Sequence, residues 1–443
     1  MAPTMQSGVV FDDNLTRADV LVLQNLEADI SDCLLGAGSN GHGNGNTAKN
    51  ATPSLAVKKN PEQAQDRDES TLAALEALND PKDAHFEPTV FNNVDLSTLT
   101  LHPTVQKWIL NPYLRVARSI VRVETDIVML THLLLYFSTS VPSALFLFWR
   151  FSWVHGILHA IMQVSYMGTY TLMMHQHIHM RGILNRRLAI FDHVFPYITD
   201  PLMGHTWNSY FYHHVKHHHV EGNGPDDLSS TLRYQRDNIF HFLHYVGRFY
   251  VLIWLDLPTY FFRKGRATIA MKAAFWELSM YYTVYTLFRL NSRATICVVL
   301  IPLLLMRAGL MVGNWGQHAF VDHDEPDSDY RSSITLIDSN RHCFNDGYHT
   351  SHHLNPLRHW REHPAAFIKG KTLYAKQHAL VFHNIDYLMI TVRLMLKDYK
   401  TLAKCMVPIG DQISMTLDER AELLKSHTRR FTEEDLRKKF RTP

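Results

Sequence analysis

Charge of one sign, paired cysteines and a hydrophobic leader are all missing from this chain. Its 44 Lys and Arg nearly balance 42 Asp and Glu, for a formal net charge of +2, so charge signals no nucleic-acid partner. The 4 cysteines are scattered as Cys33, Cys297, Cys343 and Cys405, with no C-x-x-C pair. That argues against a disulfide scaffold or a cysteine zinc site and places the functional face in a reducing compartment. The opening MAPTMQSGVVFDDN has no basic stretch followed by an apolar one, so no secretory signal peptide is expected. What is abundant is histidine, 29 residues among 443, and imidazole is the commonest metal ligand.

The mean hydropathy of −0.16 looks soluble, but a polar N-terminus and the histidines dilute concentrated apolar runs. Residues 1–95 read as a disordered tail. Its stretch from Gly36 to Ser54 is small, polar and unable to build a core, and helical patches at Thr16–Leu34 and Thr71–Leu78 are expected to be transient. Residues 96–400 read as a membrane catalytic domain, and 401–443 as a charged helical tail.

Within the membrane part, 127–149 and 151–174 are each long enough to cross a hydrocarbon core and are separated by Arg150 alone. A weaker pair follows at 272–289 and 295–315, carrying Glu277 and Arg307, which are expected to pair inside the bundle or to lie near an interface. The aromatic run 239–262 reads as an interfacial helix. The expected fold is therefore an all-α integral membrane protein, with four transmembrane helices in two hairpins beneath a helical cap. Basic clusters (Arg115, Arg118 and Arg122; Arg181, Arg186 and Arg187; Arg263, Lys264 and Arg266) put the cap and both termini on the cytosolic side.

Histidines collect where this topology converges. The first group is His175-Gln-His177-Ile-His179, after the second crossing. The second is His213-His214-Val-Lys-His217-His218-His219, and the third is His349-Thr-Ser-His352-His353, after the fourth crossing. His175 and His179, the trio His214, His217 and His218, and the trio His349, His352 and His353 have spacings that fall on one helical face. Eight imidazoles exceed one zinc site and suit two metals. An all-nitrogen set points to Fe, Cu or Zn rather than Mg or Ca. His213, His217 and His218 form an alternative register for the second group. His177 and His219 are expected off the metals, as are His155 and His159 on a polar face inside the second crossing. His359 and His363 are expected at the surface or near a substrate headgroup. Asp226 and Asp227 are candidates to orient ligand imidazoles.

H-x-x-x-H, H-x-x-H-H and H-x-x-H-H, in this order and with membrane helices between the second and third, resemble the membrane fatty-acid desaturase and hydroxylase superfamily over about Thr125 to Pro364. The run Asn345-Asp-Gly-Tyr-His349 is similar to the lead-in to the third box of acyl-CoA desaturases. Asn314-Trp-Gly-Gln-His318 is similar to their Asn-x-x-x-His element. The resemblance implies a di-iron centre with His318 as a ninth ligand and Asn314 reaching iron through a water. The three-residue gap between His175 and His179 departs from acyl-CoA desaturases and matches acyl-lipid desaturases and several hydroxylases. The implied activity is O2-dependent oxidation of a lipid or fatty-acyl chain, desaturation ahead of hydroxylation. The alternative is an oxygenase of a specialised hydrophobic substrate. No His-Pro-Gly-Gly haem motif is present, so electrons are expected from a separate donor, a cytochrome b5 or a ferredoxin. The expected location is the endoplasmic reticulum membrane.

Overall fold

The computed structural model describes residues 8–38, 61–338 and 343–440, and these are mostly helical. In chain order, α1 (Arg17–Gly38) and α2 (Pro61–Ala77) precede the amphipathic α3 (Asn111–Ile120). A first long hairpin follows, α4 (Ile127–Trp149) and α5 (Trp153–Met180). Next come α6 (Ala189–Leu202), α7 (209–221) and α8 (Ile239–Arg263). The second hairpin is α9 (Ala267–Leu290) with α10 (Ser292–Gln317). Both hairpin turns are tight because a polar side chain caps the returning helix. Ser152 Oγ accepts from the His155 N–H, and Asn291 Oδ1 accepts from the Ala294 N–H.

Only α4 and α10, among the described residues, are long and apolar enough by themselves to cross a membrane. Their hairpin partners carry polar groups, several of which are hydrogen-bonded inside the bundle. Ser143 Oγ lies 2.8 Å from His155 Nε2 and 2.9 Å from His159 Nδ1, and Ser140 donates to Gln163 Oε1 at 2.6 Å. Outward, the first hairpin exposes Leu145, Trp149, Val154 and Ile161, and α9 exposes Phe275, Tyr282 and Leu290. A contiguous apolar surface of this kind needs a non-aqueous neighbour.

Neither α4 nor α10 is a plain α-helix. Each contains a π turn, Tyr136–Ser140 or Ile296–Leu300, ending two residues before a proline, Pro142 or Pro302. Proline lacks an N–H and its ring presses on the carbonyl of the preceding turn. The helix accommodates this by widening locally. A third π turn, Gln106–Leu110, stands in the same relation to Pro112. The fourth lies in α7, at His214–His218, with no proline behind it.

Above the hairpins a cap is built on a short parallel sheet, β1 (Ile334–Ile337) with β2 (Leu380–His383), whose register pairs Ile334 with Leu380. This sheet is the one departure from an all-helical architecture among the described residues. Every residue of both strands is buried, as expected of parallel strands covered on both faces. The crossover carries α11 (His349–Leu354) and α12 (His363–Lys376).

The expectation of a disordered tail over 1–95 is corrected for α1 and α2. Val22, Leu23, Leu26 and Ile30 of α1 and Leu75 of α2 share one core with Phe367 and Ile368 of α12. The buried Lys371 ammonium donates to Asn25 Oδ1 at 2.7 Å and lies 2.7 Å from Asp29 and 2.5 Å from Asp68. Residues 39–60, most of the polar stretch, fall outside the described residues. The C-terminal segment forms helices and is no loose tail: Phe431 and Leu436 are buried against Leu232 and Val321.

Candidate metal centre

Four helices deliver the imidazoles: α5 and α10 at their ends, α7 at its π turn and α11 along its length. His175 and His179 sit one turn apart in the last turns of α5, and His349, His352 and His353 fill the short α11. His318 immediately follows α10 and is held by its Nδ1, which donates to the Ser332 carbonyl at 2.7 Å. The second box is set by its π turn. The His219 N–H reaches back to the His214 carbonyl, and closing the turn over five residues brings these two side chains onto one face.

The result is two adjoining clusters. His175, His179, His214, His219 and His352 form one, and His218, His318, His349 and His353 form the other. Within each, the ligating nitrogens lie within 4.8 Å of one another. The clusters share a border, with the His219 and His353 rings 5.1 Å apart. No carboxylate belongs to either group.

Eight of the nine sequence candidates meet here. The exception is His217, which the pattern of three and four residues placed on the site face. The π turn rotates it away, so that its Nε2 accepts from the Leu228 N–H at 2.8 Å and its ring packs 4.2 Å from Tyr260. His219, expected off the metals, takes the vacated place. His213 is also outside, 3.1 Å from Ser229 Oγ, which removes the alternative register. A spacing read as H-x-x-H-H is therefore H-x-x-x-H-H in space. The sequence signal that could have shown this is the surplus histidine itself, since an extra residue in a helical run is what a π turn absorbs.

The geometry tests whether a metal fits. In the first cluster the contacts His175–His214 (2.8 Å), His175–His352 (2.9 Å), His352–His219 (2.8 Å) and His219–His214 (3.0 Å) all run between Nε2 atoms. A neutral imidazole carries one N–H, so a closed ring of four Nε2 atoms cannot make every contact a hydrogen bond. At most two of the four can present an N–H without two N–H groups meeting, and each serves one contact well, so half of the contacts lack a linear hydrogen bond unless a cation lies between the nitrogens. His179 Nε2 is buried with no hydrogen-bond partner, as a ligand atom without its metal would be. Burial, together with neighbouring imidazoles, holds His214, His219, His349 and His352 well below the usual histidine range. They are thus neutral and offer lone pairs. The donor set fits a nitrogen-preferring transition metal.

Around the ligands, Asp227 accepts from His218 Nδ1 at 2.7 Å and fixes which nitrogen faces inward. Asp226 does not take part and pairs instead with Lys264. Asp346 and Asp329 approach His175 and His353 at 3.6 Å each. Asn314 donates to the Ser229 carbonyl at 2.8 Å and to the Tyr245 hydroxyl at 2.7 Å. His177 faces the other way, against the Asp192 carbonyl. His359 and His363 are buried rather than superficial, bound to Asp126 and Ser351.

Sequence reasoning missed Arg236. It is fully buried and donates to the carbonyls of Thr231, Ala319, His427 and Arg429. It thereby ties the loop after the second box to His318's neighbour and to the C-terminal segment. A cavity of about 380 Å³ opens beside the clusters, lined by His175, His214, His218 and His349 at one part and by residues of α8, α9 and α10 elsewhere.

Residues 135–384 match the family model described as Fatty acid desaturase. No curated protein and no solved structure matches the chain.

Proposed function

The chain belongs to the fatty acid desaturase family, and on that premise we propose that it is a di-iron membrane enzyme that uses O2 to introduce a double bond into a lipid or fatty-acyl chain. The observation that carries this reading is the meeting of nine imidazoles, in two adjoining clusters, with an apolar cavity. One iron would be held by His175, His179, His214, His219 and His352. The other would be held by His218, His318, His349 and His353, with Asn314 reaching it through water. When bound, the irons supply the O2-derived oxidising power that an unactivated C–H bond requires.

The protein's own part is positioning. Asp227 and the Ser332 carbonyl lock His218 and His318 in one orientation. The cavity aligns the chain against the histidines and keeps bulk water from the reacting carbons. The two hairpins would make four crossings, with the helical cap and both termini cytosolic, so that substrate enters from the bilayer and a separate cytochrome b5 or ferredoxin docks on the cap. The exposed apolar belt on both hairpins supports this topology, and an endoplasmic reticulum membrane suits it.

Expression in yeast with lipid profiling tests the reaction. New unsaturated lipids should appear with the wild-type chain and vanish with His352→Ala, while membrane insertion persists. A product that instead retains oxygen from labelled O2 would establish hydroxylation. Undiminished turnover in His352→Ala would remove the metal assignment.

A further inference from the structure

The cavity wall contains a charged pair that an alkyl chain does not need. Glu277 of α9 and Arg307 of α10 both line it, and both are buried, at 5% and 7% exposure. Arg307 Nη2 donates to Glu277 Oε1, and the Tyr281 hydroxyl donates to that same oxygen at 2.5 Å. Both contacts fall on Oε1, so Oε2 is left to accept from a ligand. A guanidinium with five N–H groups has others left to donate.

Depth makes the pair informative. Arg307 precedes His318 by eleven residues along α10, about 16 Å at 1.5 Å per residue. Charged groups so far inside a membrane are costly. Apolar residues of similar volume would hold α9 against α10 as well or better. The cavity near the pair is also open. A Cβ added at Gly168, Gly309 or Gly313, all in its wall, would meet nothing within 4 Å.

We propose that Glu277 and Arg307, steadied by Tyr281, recognise a hydroxyl group on an otherwise apolar substrate, roughly 16 Å along the chain from the carbon presented to the histidines. A hydroxyl is the smallest group that accepts from Arg307 and donates to Glu277 Oε2 at once. The enzyme would then prefer an oxygenated chain to a plain one. This rests on the cavity being the lipid site.

The test measures binding to the full-length, iron-loaded protein in detergent, by displacement of a fluorescent fatty acid. The competitors are stearic acid and a series of hydroxystearic acids with the hydroxyl moved along the chain. At least one hydroxy acid should bind about tenfold more tightly than stearic acid, the size expected of a hydrogen bond to a charged group. The double variant E277L/R307M removes both charges together and should lose that preference while keeping its affinity for stearic acid, which also reports that it is folded. Tyr281→Phe is the milder variant and should narrow the preference. Equal affinities across the series in the wild type, or a preference that survives in E277L/R307M, would overturn the inference and leave the metal assignment standing. Failure of every acid to bind, stearic acid included, would overturn the lipid reading and the inference with it.

Discussion

His217 and His219 are two positions apart and have opposite fates. His217 spends its ring nitrogen on the Leu228 N–H, whereas His219 Nε2 lies 2.8 Å from His352 and 3.0 Å from His214. His217→Gln, whose amide oxygen can still accept from Leu228, should keep its iron. His219→Ala should lose about half of it or more, as removal of a ligand does. Iron analysis of the purified variants decides between the two registers. His205 is a second informative residue. It is buried at 3% exposure, and burial pushes its imidazole down to about 4. Below its ordinary value of 6.5 the unfolded chain takes up a proton that folded His205 refuses. Its effect is therefore a loss of stability as pH falls from about 6.5 to about 4, and no further loss below that. Melting temperatures across this window should fall less steeply in His205→Gln than in the wild type.

At the scale of elements, the π turns were the hidden variable. Those in α4 and α10 follow from proline and leave the lengths of the runs unchanged, so both runs were legible from hydropathy as candidate spans. The π turn in α7 has no such marker and moves side chains by one position, which is why the spacing placed His217 rather than His219 on the face that clusters. A π turn is one residue more than an α-helix needs. Deleting Val215 should therefore let α7 relax to plain α geometry and bring His214, His218 and His219 to spacings of three and four, still on one face. Such a deletion should retain iron, whereas an alanine inserted at the same place should lose it. The α1–α2 pair was illegible for a different reason. Its sequence is polar enough to look unstructured, and its few apolar residues find partners on α12, the sheet and the C-terminal part, hundreds of residues away. No local pattern carries that information.

At the scale of the whole molecule, the hairpins, the order of the boxes and their convergence could be read from the chain because each depends on local periodicity. The cap's sheet could not, since β1 and β2 are four-residue strands paired across a long crossover. The proposed topology makes one direct forecast. With the native cysteines replaced by serine, a cysteine at Arg150 should react with an impermeant maleimide only after sealed, cytosolic-side-out microsomes are permeabilised. One at Lys438 should react before. Equal labelling at both would refute the two-hairpin arrangement.

Arg236 also sets a temporal order. Its guanidinium grips the carbonyls of His427 and Arg429, the Phe431 N–H donates to the Leu232 carbonyl, and the Val321 N–H donates to that of His427. The segments flanking the second box and His318 are thus stitched to residues made later than every imidazole of the two clusters. The cluster of His218, His318, His349 and His353 gains these ties only once residues 427–431 have been made. A chain truncated before His427 would keep every clustered imidazole and lose these ties between the segments that carry them.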